Sequence, residues 1–193
     1  MTDHTPGAES SEPAPANPYL RLVERLEGAA PLDRVVDAIA PLVEPVVANR
    51  SRRDFFDGAA TGIPPHVILT DVPFGAWFMA QYLDLFGDES SRVAARRLVG
   101  FGLVAAAPTA FSGWARWVGR PQETRRVGVV HAAANVVAVL TYVGSWAARR
   151  SGRDRLGANL ARAGSLPLVV GGFLGGHLRH EPTRRDTPPA DVP

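Results

Sequence analysis

Long uncharged stretches alternate with short arginine clusters through the second half of the chain. Three stretches of 18, 22 and 16 residues carry no charged side chain: 98–115, 127–148 and 163–178. A bilayer core of about 30 Å is crossed by ~20 apolar residues in an α-helix. A fourth stretch is long enough but contains Asp71 and Asp84. The pattern predicts an all-α, four-helix transmembrane bundle with spans at residues 64–86, 98–118, 127–147 and 159–178.

A soluble helical domain is the alternative to this interpretation. A helix on a soluble protein repeats its apolar positions every 3.6 residues and keeps a polar face. The segment 127–148 has no such face, because its polar side chains are few and scattered. Four Trp residues lie within or near the spans, three of them close to an end, as in the aromatic belts of membrane proteins. These features favour a bilayer.

Composition divides the chain into four regions, which are a tail, an amphipathic segment, a membrane domain and a second tail: 1–18, 19–50, 54–180 and 181–193. Both tails are predicted to be disordered, because they are polar and lack apolar periodicity. The amphipathic segment contains two helical patterns separated by Pro31, and Pro41 and Pro45 are expected to interrupt the second. It forms either a pair of helices on the membrane surface or on the bundle, or a poorly ordered linker.

Charge and composition exclude several functional classes. Arginine supplies all 21 basic residues, and 19 acidic residues leave a net charge of +2. The arginines separate apolar runs instead of gathering on one arm or face, which argues against nucleic-acid binding. Without Cys, the chain has no disulfide, thiolate metal site or iron–sulfur cluster. It contains no motif of hydrolases, P-loop enzymes, zinc peptidases or dinucleotide-binding enzymes, so catalysis by the chain alone is not expected.

Arginine counts near the ends of the spans predict an orientation. Nine Arg residues flank the tails and the second loop, against seven in the other two loops. Cytoplasmic segments of membrane proteins are enriched in Arg and Lys. The chain is therefore expected to be a multi-pass protein of the cell membrane with both tails in the cytoplasm.

The topology also predicts a cluster of polar side chains in one leaflet. Because successive spans run in opposite directions, the first and third begin on the side where the second and fourth end. Five polar residues then converge on that side: His66, Asp71, His131, Asn135 and His177. Such a cluster could hold haem or a metal ion, or pass protons. The alternative is that His66 and His177 are solvated at the interface while His131 and Asn135 link helices by hydrogen bonds.

Other residues of the spans have structural roles in this interpretation. Asp84 is expected to form an ion pair with Arg96 and Arg97 at the far end of the bundle. Pro73 and Pro108 each remove a backbone hydrogen bond, for which neighbouring hydroxyl groups are expected to compensate. Two overlapping patterns of small residues predict close approach of the fourth helix to a neighbour: Gly171 with Gly175, and Gly172 with Gly176.

Four short motifs follow one another in the segment 58–180. They are LTDVPFGAW at 69–77 with LDL at 83–85, GWARW at 113–117, RRVG at 125–128 followed by His131 and Asn135, and GGHL at 175–178. Together they resemble the bacterial membrane family called domain of unknown function 2231. The resemblance implies a four-helix membrane domain of uncharacterised function, which in some relatives is joined to a Rieske-type iron–sulfur domain. Where the family often has Gly-His-Pro-Leu-His-Pro before the first helix, this chain has Ile63 in place of one histidine.

Two classes of function follow from these features. The first is an integral membrane protein that acts as a non-catalytic anchor or partner subunit and holds no cofactor. Its partner would be an electron-transfer protein, by analogy with the Rieske-linked relatives, or a second copy of the chain. The second is a haem- or metal-binding redox protein, or a proton-passing protein, that uses the histidine cluster.

Overall fold

The computed structural model describes residues 17–180, and over that range it contains helices and no strands. The predicted all-α class is therefore confirmed. There are seven α-helices in this part of the chain: α1 (Pro18–Glu27), α2 (Asp33–Val43), α3 (Arg50–Phe56), α4 (Pro65–Phe86), α5 (Ser91–Trp117), α6 (Gln122–Arg150) and α7 (Asp154–His180). The predicted disorder of both tails lies outside the described residues, except at Asn17 and Pro18. Pro18 is the first residue of α1, and Asn17 caps the helix, because its side chain accepts a hydrogen bond from the backbone of Tyr19.

The four long helices, α4 to α7, follow the predicted spans, and α5, α6 and α7 extend beyond them at charged ends. Helix α5 begins at Ser91, before the uncharged stretch, because charged residues such as Arg96 and Arg97 are themselves good helix formers. Helix α6 has Glu123 in its first turn and Arg149 and Arg150 in its last, an order that the helix dipole favours. Loops of three or four residues join the helices, so successive helices are antiparallel.

Two of these helices, α5 and α6, are long and apolar enough to cross a membrane. Helices α4 and α7 are also long, at 22 and 27 residues, but neither is apolar enough over such a length. All four expose large apolar side chains on the outer surface of the bundle. The most exposed on each helix are Phe78 and Phe86, Val104 and Phe101, Leu140 and Val136, and Leu166 and Phe173.

The long helices form two hairpins. Helix α4 packs along α5 and α6 packs along α7, whereas α4 and α7 touch at few points. Glycines permit the close approach within the second hairpin, because a Cβ atom at Gly171 or Gly175 would come within about 3 Å of Asn135 or His131. This confirms the predicted role of Gly171 and Gly175. Gly172 has looser contacts with Phe74 of α4, and Gly176 borders open space.

One half of the bundle, called the closed half here, is joined across the two hairpins by stacked aromatic rings. Trp77 of α4 lies flat on Tyr142 of α6, with ring centroids 4.1 Å apart, and donates a hydrogen bond to the carbonyl of Val99. Beside the stack, Gln81 donates to the hydroxyl groups of Tyr142 and Ser165. Buried alanines fill the space around these side chains: Ala76, Ala80, Ala95, Ala138 and Ala161. Here α4, α5, α6 and α7 share one core.

A buried ion pair closes the end of this half. The guanidinium of Arg149 donates two hydrogen bonds to the carboxylate of Asp84, at 2.8 and 2.5 Å, and its side chain is fully buried. The expected pairing of Asp84 with Arg96 and Arg97 is therefore wrong. All three arginines lie at the same end of the bundle, but α4 turns Asp84 towards α6, where Ser145 also contacts Arg149.

A threonine compensates for one of the prolines inside the long helices. Pro73 cannot donate a hydrogen bond to the carbonyl of Leu69, one turn earlier in α4. The Thr109 hydroxyl of α5 donates to that carbonyl at 3.0 Å. The expectation that a neighbouring hydroxyl compensates for a proline is thus confirmed at Pro73.

The first two helices form a cap on one end of the bundle. Helix α1 packs on α6 and α7 through Val23, and α2 packs on Trp117 through Val36. The main polar link is Arg126 of α6, which donates two hydrogen bonds to Asp33 at the start of α2. These bonds hold the pKa of Asp33 below its ordinary value of 3.8.

The path of α2 corrects one expectation. The helix continues through Pro41 to Val43, so Pro41 does not interrupt it. The proline lies in the last turn of the helix, where it removes one hydrogen bond to Asp37 and the chain turns away shortly afterwards. A short 3₁₀ turn, Glu44–Val47, follows the helix, with Pro45 as its second residue, and leads to α3.

Candidate functional site

The other half of the bundle, called the cavity half here, encloses a cavity of about 710 Å³ between the two hairpins. All four long helices contribute to its wall. Polar side chains lie on the wall towards the cap: His66, Asp71, Arg116, Arg120, His131 and Asn135. The wall towards the closed half is apolar and includes Trp77, Leu103, Val139 and Leu168. The cavity therefore has one polar and one apolar end.

His66 ties the first hairpin together. It lies in the first turn of α4, and its Nδ1 atom is 3.0 Å from the carbonyl oxygen of Thr109 in α5. Because a carbonyl only accepts hydrogen bonds, this contact places the proton of the neutral ring on Nδ1. The ring rests on Gly113, where a Cβ atom would approach it to 2.8 Å. His66 thus links α4 to α5 and does not reach the second hairpin through this bond.

His131 does the same within the second hairpin. Its Nδ1 atom lies 2.8 Å from the carbonyl oxygen of Gly171 in α7. The amide nitrogen of Asn135, one turn further along α6, lies 3.2 Å from Nε2 of the same ring. That amide also donates to the backbone carbonyl of His131. Both ring nitrogens of His131 therefore have polar contacts inside the protein.

His177 is directed away from the other members of the predicted cluster. It lies near the end of α7, and its Nε2 atom is 2.9 Å from a carboxylate oxygen of Glu27 in the cap. The structure therefore brings His66, Asp71, His131 and Asn135 to one cavity and places His177 outside its wall. The sequence pattern predicted how far along α7 His177 lies. It did not predict where the cap, which contains Glu27, packs on the bundle.

Two arginines complete the polar end of the cavity. Arg116 is in the last turn of α5, Arg120 is in the loop that follows, and both line the cavity. The Arg120 side chain is buried. In the described part of the chain, Nε of Arg116 is buried and has no hydrogen-bond partner. In the sequence, Arg116 belongs to the GWARW motif and Arg120 is one of the arginines near the second loop, and no prediction joined the two.

The histidines and carboxylates do not gather into a metal site. Among the described residues, no three His, Asp or Glu side chains lie close enough to hold a metal ion. The two cavity histidines belong to different hairpins, and each is oriented by a backbone carbonyl of its own hairpin. What the geometry offers is a mostly apolar space with two imidazoles, one carboxylate, one amide and two guanidinium groups along one end.

No protein-family model, curated protein or solved structure matches this chain. The resemblance to the domain of unknown function 2231 family therefore stays a prediction. The site has to be interpreted from its own residues.

Proposed function

We propose that this chain is a multi-pass membrane protein whose four long helices all span the bilayer. The observation that carries the proposal is the distribution of residue sizes between the surface and the interior. Phe, Leu and Val side chains project outwards from all four helices, whereas the core between them consists largely of Ala, Gly and Ser with a few aromatic rings. A soluble protein rarely exposes a continuous apolar surface of this extent. Small residues at helix contacts are typical of membrane bundles.

Two features of α4 that oppose membrane insertion are compensated within the bundle. Asp84 forms a buried ion pair with Arg149, so the two charges neutralise each other. Pro73 leaves the carbonyl of Leu69 without a backbone partner, and the hydroxyl of Thr109 donates a hydrogen bond to that carbonyl, which lipid could not do. These contacts support α4 as a membrane-spanning helix despite Asp84 and Pro73.

The role proposed for this bundle is that of a non-catalytic anchor or partner subunit. Its support is that Nδ1 of both cavity histidines contacts a backbone carbonyl of the neighbouring helix in the same hairpin, while Nε2 of His131 contacts Asn135. By analogy with the Rieske-linked relatives of the family it resembles, the partner is an electron-transfer protein. The proposed orientation keeps the tails and the cap in the cytoplasm. Its support is the count of nine arginines near the tails and the second loop against seven in the other two loops.

Membrane integration is tested by fractionation and alkaline extraction of the expressed full-length chain. We expect it in the membrane pellet after carbonate washing, and in solution only after detergent is added. Single-cysteine variants add spatial detail, because the natural chain has no Cys. Phe78→Cys, on the proposed lipid face, should resist a water-soluble maleimide, and Ser51→Cys, on α3, should react with it. Monodisperse protein in the soluble fraction without detergent would overturn the proposal.

The cofactor-bearing alternative is tested by an absorption spectrum and metal analysis of protein purified in mild detergent. The proposed non-catalytic role predicts a colourless protein without stoichiometric metal. A haem absorption band, or bound metal that is lost in His131→Ala, would establish the redox alternative instead. The variant Asn135→Ala serves as the control, because it removes a neighbour of His131 and leaves both imidazoles in place.

A further inference from the structure

The cavity opens towards the sides of the bundle. On one side it is bordered by exposed Asp71 of α4 and exposed Gly172 and Gly176 of α7, two helices that touch at few points. On the other side, the exposed residues Ala110 of α5 and Val136 of α6 border it. If the four helices span a membrane, as proposed above, these openings face the lipid. A ligand would then enter from the bilayer.

The two ends of the cavity differ in charge as well as in polarity. Arg116 and Arg120 line the end towards the cap, and Asp71 is the one carboxylate among the described residues that line the cavity. Asp57 lies near enough to Arg116 to offset part of its charge, but it does not line the cavity. The buried Nε of Arg116 lacks a hydrogen-bond partner within the described residues. An anionic group at this end would supply one and would add a counter-charge beside Arg116.

The length of the cavity suits a single acyl chain. Arg116 and Leu103 of α5 both line it and are 13 residues apart, which is about 20 Å along a helix at 1.5 Å per residue. One leaflet of a bilayer core is about 15 Å thick, half of ~30 Å. A lipid acyl chain can therefore extend from the arginine end to the apolar end. The volume of about 710 Å³ lies within the ~300–1,000 Å³ range of small-ligand pockets.

We propose that the cavity binds a single-chain lipid with an anionic head, held by Arg116 and Arg120, and with its acyl chain between the two hairpins. This inference rests on the proposed membrane location, because the ligand enters through openings that face lipid. The shared chemistry is one acyl chain and a carboxylate or phosphate. Two sources supply it, a free fatty acid and a lysophospholipid.

Binding is measured with the full-length protein in detergent, by titration with palmitate, with palmitoyl lysophosphatidic acid and with hexadecanol. Hexadecanol has the same chain length as palmitate but no charge. We expect one molecule of palmitate or lysophosphatidic acid to bind per chain, and hexadecanol to bind at least about tenfold more weakly. The tighter of the two anionic probes identifies the headgroup. Equal affinity for hexadecanol would overturn the proposal.

Two substitutions locate the bound lipid. Gly176→Leu places a side chain in the open cavity without a clash, because no atom lies within 4 Å of a Cβ at that position. Gly75→Leu is its matched control, since that glycine is equally open and does not line the cavity. We expect Gly176→Leu to abolish binding and Gly75→Leu to leave it unchanged. Arg116→Gln should weaken the anionic probes about tenfold and hexadecanol much less.

The outcomes separate this inference from the proposed function. A protein that is recovered in the membrane fraction but binds neither anionic probe overturns the lipid site alone. A protein recovered in the soluble fraction overturns the membrane proposal, whatever it binds. Equal effects of Gly176→Leu and Gly75→Leu would show that the lipid lies on the outer surface, and would overturn the cavity site.

Discussion

The closed half and the cavity half of the bundle differ in whether polar side chains join the two hairpins. In the closed half, some polar contacts lie within a hairpin, but others cross between the hairpins, as in the Asp84–Arg149 ion pair and the bonds of Gln81 to Tyr142 and Ser165. In the cavity half they run within each hairpin, as His66 contacts α5 and His131 contacts α7. Contacts across the hairpins draw the four helices together, and contacts within them leave space between. The cavity lies where the cross-links stop.

The largest expected effect is on the ion pair of the closed half. Arg149→Met leaves the buried carboxylate of Asp84 without its partner, and we expect the free energy of unfolding to fall by about 3–5 kcal/mol. Unfolding in detergent, followed by circular dichroism, measures this loss. Arg92→Met is the control, because its pair with Glu89 is exposed and should contribute less than ~1 kcal/mol. Equal losses in the two variants would contradict the role given to the closed half.

A second effect comes from the tight packing of the aromatic stack. A Cβ atom at Gly102 would overlap Nε1 of Trp77, so Gly102→Ala has to displace the ring from Tyr142. We expect a loss of about 1–3 kcal/mol in the free energy of unfolding. Gly75→Ala, with nothing near its Cβ, should instead stabilise α4 by up to about 1 kcal/mol. Unfolding followed by Trp fluorescence in detergent measures both changes. If Gly102→Ala left the free energy of unfolding unchanged, the aromatic stack would not be a tight contact.

The sequence predicted positions along the bundle axis, but not how each helix is rotated about its own axis. Three uncharged runs and a fourth apolar stretch predicted where the four long helices lie. The alternating direction of the helices predicted which residues share a depth in the bundle. Neither feature specifies how each helix is rotated about its axis, and the ion-pair partners predicted for Asp84 were therefore wrong. The same limit applies to His177, whose partner Glu27 depends on where α1 packs. The cavity depends on the separation of two hairpins, which no local pattern of residues records.

A smaller effect is expected in the cavity half. His131→Ala removes the contact with the carbonyl of Gly171, and membrane-type interhelical hydrogen bonds contribute only ~1 kcal/mol. The free energy of unfolding should therefore fall by about 1 kcal/mol, well below the loss in Arg149→Met. The same measurement in detergent compares the two variants directly. A loss at His131 as large as that at Arg149 would mean that the cavity half is not the weaker one.

The smallest effect concerns the cap and depends on pH. The pKa of Asp33 is lowered in the folded protein by its hydrogen bonds with Arg126, so its ionised form stabilises the docked cap. That contribution is complete above the unfolded pKa, about 3.9, and is lost as the pH falls through the lower folded pKa. Val36→Cys, buried beneath α2, should react faster with 2,2′-dithiodipyridine, a reagent that modifies thiols at acid pH, as the pH falls through this range. Adding Asp33→Asn should remove this pH dependence while keeping the shape of the side chain.

The central claim, four helices across a bilayer, is tested most directly by the sidedness of the loops. Single cysteines at Ser90, Gly119 and Ser151 report the three loops between the long helices. An impermeant maleimide applied to intact cells should label Ser90→Cys and Ser151→Cys, and should label Gly119→Cys only after the membrane is opened. Labelling of Gly119→Cys and Ser151→Cys from the same side of the membrane would contradict the four-span arrangement.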